Sequence, residues 1–245
     1  MPRKRTRLDK LLVERGLVGS RQRAQALVME GKVKVDGRRI IKPGTQILAG
    51  AHLEIVGNDI PFVSRGGIKL RHALDHFCIS VTGFVAMDVG ASTGGFTDCL
   101  LQRGVKKVYA IDVGYGQLDW KLRNDPRVVV LERENIRYLS SEKIADPINI
   151  AVIDVSFISL KLVIPVVQKF VVPEGEMVAL IKPQFEVGKG KVGRGGVVRD
   201  PEEHKRVIEE VSSFVTELGW NLKGVVESPI LGPKGNREFL LYATN

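Results

Sequence analysis

Cysteine is scarce in this chain. Only Cys78 and Cys99 occur among 245 residues, too few for a disulfide framework and at no metal-finger spacing, as expected of a protein from a reducing cytoplasm. Long apolar runs are missing as well. No window reaches 18 uninterrupted apolar residues, so no membrane-spanning helix is expected. The opening Met-Pro-Arg-Lys-Arg-Thr-Arg has no apolar stretch behind it, which argues against a secretory signal. What is present suits a packed soluble fold: 44% hydrophobic and 27% charged residues. The formal charge of +9 is unevenly spread. Residues 1–60 carry 13 Lys and Arg against 6 Asp and Glu, and residues 61–245 carry 24 against 22. A small polyanion-binding module at 1–60, joined to a nearly neutral body at 61–245, is the organisation this predicts.

The body is arranged around Phe84-Val-Ala-Met-Asp-Val-Gly-Ala-Ser-Thr-Gly-Gly95. Residues 84–87 form a short apolar run, the pattern of a parallel strand buried on both faces. Asp88 breaks that run, and Gly90, Gly94 and Gly95 then permit a tight turn into a helix over 96–102. Ser92 stands where a dinucleotide loop would have its second glycine to admit a pyrophosphate. An acid before a loop of this kind suits a ligand with a positive, amino-acid-like end and no phosphate, such as S-adenosylmethionine. After a second apolar run at 108–111 comes Asp112, placed to hold ribose hydroxyls from a strand tip. The loop alone is equally compatible with a simple βα turn.

In chain order, Leu8, Leu11 and Leu12 recur at helical spacing before Gly16, and Ser20 can cap a second helix carrying Ala24, Leu27 and Val28. Arg21 and Arg23 fall in its first turn, where cations oppose the helix dipole unless an anion joins them. They read as a phosphate seat or as a solvated face. Asp36-Gly37 joins residues 32–35 to 38–41 as a hairpin, and 52–56 reads as a further strand. Residues 57–61 form a linker. Ser64 is expected to cap a helix reaching Phe77, with His72 and His76 on a solvated face of it. Beyond Asp112 the expected elements are a helix at 117–123, a strand at 127–131, strands at 148–153 and 177–181, and a helix at 160–170 with Pro165 in its path. Glu134 and Asn135 could read an adenine edge. Residues 184–199 hold five glycines and four cations, too glycine-rich for a fixed element and suited to a mobile substrate loop. A helix at 201–218 and strands at 220–227 and 238–243 complete the body. The predicted fold class is α/β, a doubly wound Rossmann-like sheet of the methyltransferase variant, behind a small N-terminal α+β RNA-binding domain.

Ligands of such folds sit at the carboxyl ends of the parallel strands, where Asp88, Asp112, Asp154 and Lys182 all fall. A lysine buried there beside other cations has a lowered pKa and could take the proton that an attacking hydroxyl loses. Each residue also has a plain structural reading: strand-end acids cap helices, and lysines reach out to solvent.

Residues 5–57, with Leu-Asp-Lys-Leu-Leu near the start and Gly-Lys-Val-Lys-Val-Asp-Gly in the middle, resemble the S-four-like RNA-binding module. Ser64-Arg-Gly-Gly-Ile-Lys-Leu70, Asp88-Val-Gly-Ala-Ser-Thr-Gly-Gly-Phe-Thr-Asp98, Asp154-Val-Ser-Phe-Ile-Ser159, Lys182-Pro-Gln-Phe-Glu186 and Gly232-Pro-Lys-Gly-Asn-Arg-Glu238 are similar to the TlyA (haemolysin A) family, over nearly the whole chain and in order. Those are ribosomal RNA 2′-O-methyltransferases that join the S-four-like domain to a catalytic domain similar to FtsJ. The resemblance implies a catalytic tetrad of Lys69, Asp154, Lys182 and Glu238, with Lys182 taking the 2′-hydroxyl proton, and no metal. It implies S-adenosylmethionine held by Asp88, Gly90, Ser92, Gly94, Gly95, Asp112, Asn135 and Asp154. RNA contacts are expected from Arg3, Lys4, Arg7, Arg21, Arg23, Lys32, Arg65, Lys189, Lys191 and Arg194. Two other readings stay open: a non-catalytic ribosome-assembly factor that keeps the fold, and a lytic protein of the kind the family's older name suggests.

Overall fold

The computed structural model describes residues 5–18, 21–56, 61–188, 192–193 and 195–245. The expected cap Ser20, most of the expected linker, and the expected RNA contacts Arg3, Lys4, Lys189, Lys191 and Arg194 lie outside the described residues. The chain divides into two compact units, Met1–Asp59 and Ile60–Asn245.

The first unit opens with strand β1 (Arg5–Arg7), followed by helices α1 (Leu8–Glu14) and α2 (Arg21–Met29). Strands β2 (Val33–Val35) and β3 (Arg38–Ile40) form the predicted hairpin, with Asp36 and Gly37 both at positive φ (49° and 79°), as a two-residue primed turn requires. Strand β5 (Leu53–Ile55) pairs on the other side of β2. Strand β4 (Gln46–Leu48) pairs antiparallel with β1, a two-stranded ribbon that the sequence pattern did not announce. Leu8, Leu11, Leu12, Ala24, Leu27, Val28 and Val33 close the core, so the helical spacing of these residues was their buried face.

In the second unit, seven strands take the order β11-β12-β10-β9-β6-β7-β8. They are β6 (Val85–Val89), β7 (Lys107–Asp112), β8 (Val128–Glu132), β9 (Ile148–Ile153), β10 (Val171–Ile181), β11 (Asn221–Glu227) and β12 (Phe239–Thr244). Strands β10, β9, β6, β7 and β8 run parallel, and β12 lies antiparallel between β10 and β11. Helices α3 (Gly66–His76), α4 (Gly95–Gln102) and α5 (Trp120–Arg123) cover one face. Helices α6 (Leu160–Val167) and α8 (Pro201–Glu217) cover the other, and α7 (Pro183–Glu186) is a single turn after β10. Alternation in β6 serves both layers: Val85, Met87 and Val89 face α6 and α8, while Ala86 faces α3 and α4.

Several expectations need correction. Asp88 does not end its strand; it lies inside β6 and is fully buried. The helix expected from Gln117 begins at Trp120, where the Asp119 side chain accepts from the Lys121 N–H and fixes the start. Helix α6 stops at Val167 and continues as a 3-10 turn, Gln168–Phe170, two residues beyond Pro165. The 184–199 stretch is not uniformly irregular. It includes most of α7, and Val197 and Val198 are buried, with Val197 bridged to Gly193. Strand β10 begins six residues earlier than its apolar run, with a register shift between Val171 and Glu176. Arg65 occupies the N-cap position of α3, and the Ser64 hydroxyl accepts from the Gly66 N–H at 3.3 Å.

Candidate active site

A cleft of about 770 Å³ opens over the carboxyl ends of β6, β7 and β9, within the size range of small-molecule sites. Of the residues expected to hold the cofactor, Gly90, Ser92, Asp112, Asn135 and Asp154 line it. Asp88, Gly94 and Gly95 do not, and each has a structural task instead. Asp88 accepts a 2.6 Å hydrogen bond from the Thr97 hydroxyl, tying β6 to α4, while its Oδ1 is buried with no partner. Burial is the main cause that lifts the Asp88 carboxyl to about 7; nearby Asp154 and Asp112 add to the rise, and the bonds from Thr97 oppose it.

Gly94 sits at φ 95°, and a Cβ there would lie 2.2 Å from Leu122 and 2.8 Å from Leu118. A Cβ on Gly95 would lie 2.2 Å from the Ser64 hydroxyl and 2.9 Å from the Gly67 nitrogen. The close approach these glycines permit is therefore between parts of the protein. Gly94→Val is expected to cost 3 kcal/mol or more, roughly, from overpacking plus a left-handed backbone. A denaturation midpoint equal to wild type would refute this.

Four of the loop amides are already engaged. The N–H groups of Gly90 and Ala91 donate to the Ile111 carbonyl at 2.8 and 3.1 Å, Gly94 donates to Ala91 at 2.7 Å, and Ser92 donates to Asp112 Oδ2 at 2.7 Å. A phosphate cradle needs such amides free, so this loop fits a ligand without phosphates. Asp112 Oδ1 accepts from the Gly114 N–H at 2.6 Å. Both carboxylate oxygens are thus fixed, and each keeps a lone pair for a sugar hydroxyl. Asn135 caps the 3-10 turn Ile136–Tyr138, accepting from the Arg137 N–H at 3.1 Å.

The four implied catalytic residues form two ion pairs. Lys182 Nζ lies 2.5 Å from Asp154 Oδ1 and donates to the Ser156 hydroxyl at 3.0 Å. Lys69 Nζ donates to Glu238 Oε2 at 2.5 Å, with Glu238 fully buried. Strand register brings the pairs to one edge. Asp154 and Lys182 each follow the last residue of adjacent parallel strands, and Glu238 precedes Phe239, which pairs with Ile181. Lys182 therefore emerges between Asp154 and Glu238. The lysine was expected beside other cations from its burial and beside Asp154 from the resemblance; its ion-pair partner in the structure is Asp154.

Sequence reasoning missed two aromatic side chains. Phe157 is 90% exposed at φ 64°, and its ring lies 5.0 Å from that of Phe185, which itself packs near Lys182 Nζ. Both rings line the cleft. An apolar ring held in solvent by a strained backbone is a candidate stacking surface. A phenylalanine in a polar loop just after a strand-end acid was the available signal.

In the first unit, the anion that Arg21 needs is internal. Fully buried Asp9 accepts from Arg7 at 2.8 and 3.0 Å, from Arg21 Nε at 3.1 Å and from Gln25 at 2.9 Å. The Arg7 guanidinium chiefly holds the Asp9 carboxyl well below its usual range. Arg7 and Arg21 nonetheless keep 42% and 56% of their side chains exposed. Arg23 is half-buried. Lys32 pairs with Glu30 at 2.7 Å, and Arg65 is exposed at the start of the helix that carries Lys69.

With this geometry in hand, likeness to known proteins decides the family. A family model for FtsJ-like methyltransferases matches residues 62–245, and one for the S4 domain matches residues 6–53. The chain belongs to the FtsJ-like methyltransferase family. It is 50% identical over 240 residues to the 16S/23S rRNA (cytidine-2′-O)-methyltransferase TlyA of Mycobacterium tuberculosis, covering 98% of this chain and 90% of that one. It is 42% identical over 237 residues to Hemolysin A of Brachyspira hyodysenteriae, covering 96% and 98% of the two chains. A solved Streptococcus thermophilus protein with a provisional hemolysin name superposes at TM-score 0.79 with 44% identity, covering 99% of this chain and 89% of that one. The N-methyltransferase NodS of Bradyrhizobium japonicum, solved with S-adenosyl-L-homocysteine, shares the fold at TM-score 0.52 and 16% identity, covering 77% and 93%. Among the described residues of this FtsJ-like chain, no helix is long and apolar enough to cross a membrane.

Proposed function

We propose that the chain is an S-adenosylmethionine-dependent RNA methyltransferase that modifies ribose 2′-hydroxyls of ribosomal RNA in the cytoplasm. The observation that carries this reading is the placing of two ion pairs, Lys182–Asp154 and Lys69–Glu238, at neighbouring strand ends beside a cleft whose loop spends its Gly90, Ala91, Ser92 and Gly94 amides on the protein itself. Likeness to the Mycobacterium tuberculosis TlyA supports a cytidine of ribosomal RNA as the target, and a ribosomal subunit as partner is part of the same proposal. A division into domains at 60/61 is part of this reading, supported by an S4 match that ends at 53, an FtsJ-like match that begins at 62, and compact units that divide one residue earlier.

S-adenosylmethionine, when bound, would supply a sulfonium methyl whose carbon bonds to the ribose oxygen in line as its bond to sulfur breaks and the neutral thioether leaves. Asp112 would hold its ribose, Gly90 and Ser92 would border it, and Asn135 would meet its base. Asp88 acts from beneath by fixing the loop to α4. Lys182 Nζ takes the hydroxyl proton as that oxygen becomes acidic on bonding to carbon, and passes its own proton to Asp154 Oδ1. Lys69 and Glu238 form the second ion pair, at the strand end next to Lys182. Phe157 and Phe185 offer a face on which the target base can stack. Arg7, Arg21, Arg23, Lys32 and Arg65 supply phosphate contacts, and Arg3, Lys4, Lys189, Lys191 and Arg194 would add to them.

The test is transfer of labelled methyl from S-adenosylmethionine to ribosomal subunits, followed by mapping of methylated riboses. Retention of label by an RNA lacking the target 2′-hydroxyl would refute a ribose target. No transfer to either subunit, with RNA binding intact, would favour the assembly-factor reading.

Two variants probe the cofactor site. Asp112→Ala should weaken S-adenosylmethionine by about 1.5–3 kcal/mol through lost charge-assisted hydrogen bonds, and unchanged calorimetric affinity would remove Asp112 from the site. Asp88→Asn tests the buried acid. With its carboxyl at about 7 in the fold against 3.8 otherwise, the native state keeps a proton between those values that the unfolded chain has released. That contribution to stability is full below the lower value and lost as pH rises through the upper one. The stability of Asp88→Asn relative to wild type should therefore climb from pH 4 to 7 and then level off. A flat difference across denaturant melts in that range would show that burial does not hold the proton.

A further inference from the structure

The two loops that carry the chemistry, residues 154–159 and 182–186, come from adjacent strands and are joined by three successive contacts. Nearest the sheet, Lys182 meets Asp154 at 2.5 Å and Ser156 at 3.0 Å. Next, the Phe185 and Phe157 ring centroids lie 5.0 Å apart. Outermost, Glu186 Oε2 accepts from the Ser159 hydroxyl at 2.6 Å, and Oε1 accepts from the Leu160 N–H at 2.8 Å. Both carboxylate oxygens of Glu186 are thus spent on the neighbouring loop and on the first residue of α6.

We infer that Glu186 is a positioning residue: it locks the 154–159 loop against the Lys182 turn, and so sets where Asp154 and Phe157 stand relative to Lys182 Nζ. This rests on the methyltransferase reading above. The need for a lock is visible in Phe157, whose φ of 64° is costly for a bulky residue and persists only where neighbours enforce it. Val155 and Ile158 of the loop pack against the core, while Ser156 and Phe157 between them are exposed. The loop's N-terminal end is fixed by the Asp154 N–H, which donates to the Val89 carbonyl at 2.9 Å. Glu186 fixes the C-terminal end, and α7 places it there. The Lys182-Pro-Gln-Phe-Glu turn runs directly from the end of β10, and Pro183 starts it with a φ suited to a helix. Four residues later the carboxylate faces the N-terminus of α6. Ser159 caps α6 through the Lys161 N–H at 3.2 Å, so its hydroxyl hydrogen is free to go to Glu186. The charge also complements that helix end.

The chemistry distinguishes two substitutions. Glu186→Ala removes both contacts. Glu186→Gln can keep both with one role reversed, because its carbonyl can accept from Leu160 while its amide donates to the Ser159 oxygen. In Glu186→Ala the Leu160 amide of the free protein should exchange with solvent faster. Methyl transfer under single-turnover conditions, saturating in cofactor and ribosomal subunits, should slow by roughly 10- to 100-fold, since a misplacement of about 1 Å can cost 100-fold. RNA affinity should be unchanged. Glu186→Gln should stay within about threefold of wild type on both readouts, the scale of a retained contact.

All rates are taken well below the melting temperature of each variant, so lost folded fraction does not contribute. A wild-type rate in Glu186→Ala overturns the inference, as does Glu186→Gln as slow as the alanine variant. Should Glu186→Ala not fold, Ser159→Ala breaks the same contact from the other side, and a wild-type rate there overturns the inference equally. Transfer by the wild type with no effect of the variants sinks this inference alone, whereas no transfer by the wild type sinks the enzymatic reading on which it rests.

Discussion

Lys182→Ala should lower methyl transfer by about 100- to 10,000-fold, the range supplied by a positioned proton acceptor, while cofactor and RNA affinities stay near wild type. The structure shows why the protein should survive the change. Asp154, the partner of Lys182, lines the cleft and keeps 21% of its side chain in solvent, so water can solvate the carboxylate once the ammonium is gone. The loss belongs to the transition state, because the hydroxyl proton becomes acidic only as oxygen bonds to carbon. It should therefore appear in kcat and not in KM. Lys182→Arg separates charge from proton transfer. Arginine keeps the positive charge beside Asp154 but cannot give up its proton in a protein, so it should fail nearly as badly as alanine. Near-normal single-turnover rates in Lys182→Ala would mean that Asp154 or solvent accepts the proton. An arginine variant close to wild type would mean that the site needs only a cation.

The parts of this site legible in the sequence are those set by local pattern. An apolar run, a glycine loop and a strand-end acid are neighbours in the chain, so β6, α4 and Asp112 could be placed from spacing. Asp154 and Lys182 stood at strand ends for the same reason, and family resemblance added Lys69 and Glu238 and assigned all four roles. What escaped was set by contacts distant in sequence. Nothing near Arg21 names Asp9, 12 residues away, as its partner, so two cations in a first turn read as a seat for an outside anion. The requirement for glycine at Gly94 was plain, but Leu122 and Leu118, the side chains that impose it, belong to another element. Asp88 shows a different limit. A polar residue in an apolar run reads as the end of the strand, yet here it stays inside because Thr97 on α4 meets one oxygen and burial holds its proton. The ribbon of β1 and β4 had three residues per strand, too short for any period to show.

The Lys69–Glu238 pair should respond to single and double substitution in opposite ways. Glu238 has no exposed side-chain surface and Lys69 has 10%, so water cannot replace either partner. Gly232 packs close enough that a Cβ there would lie 2.1 Å from Glu238 Oε1, which leaves no room for solvent on that side. Lys69→Ala should therefore cost about 3–5 kcal/mol, the usual penalty for stranding one charge of a buried pair. Replacing both partners with apolar residues of similar length, Lys69→Met with Glu238→Met, should recover most of that loss, because well-packed apolar side chains commonly match a buried ion pair in stability. Activity should not return with it. The pair joins α3, which begins beside exposed Arg65, to the residue preceding β12 and next to Lys182. A methionine pair can fill that space but cannot donate to or accept from a ribose or phosphate. Denaturant melts and single-turnover rates on the same three proteins decide the matter. A double variant that regains stability and transfers methyl at the wild-type rate would reduce Lys69 and Glu238 to a packing role and leave Lys182 and Asp154 to carry the chemistry.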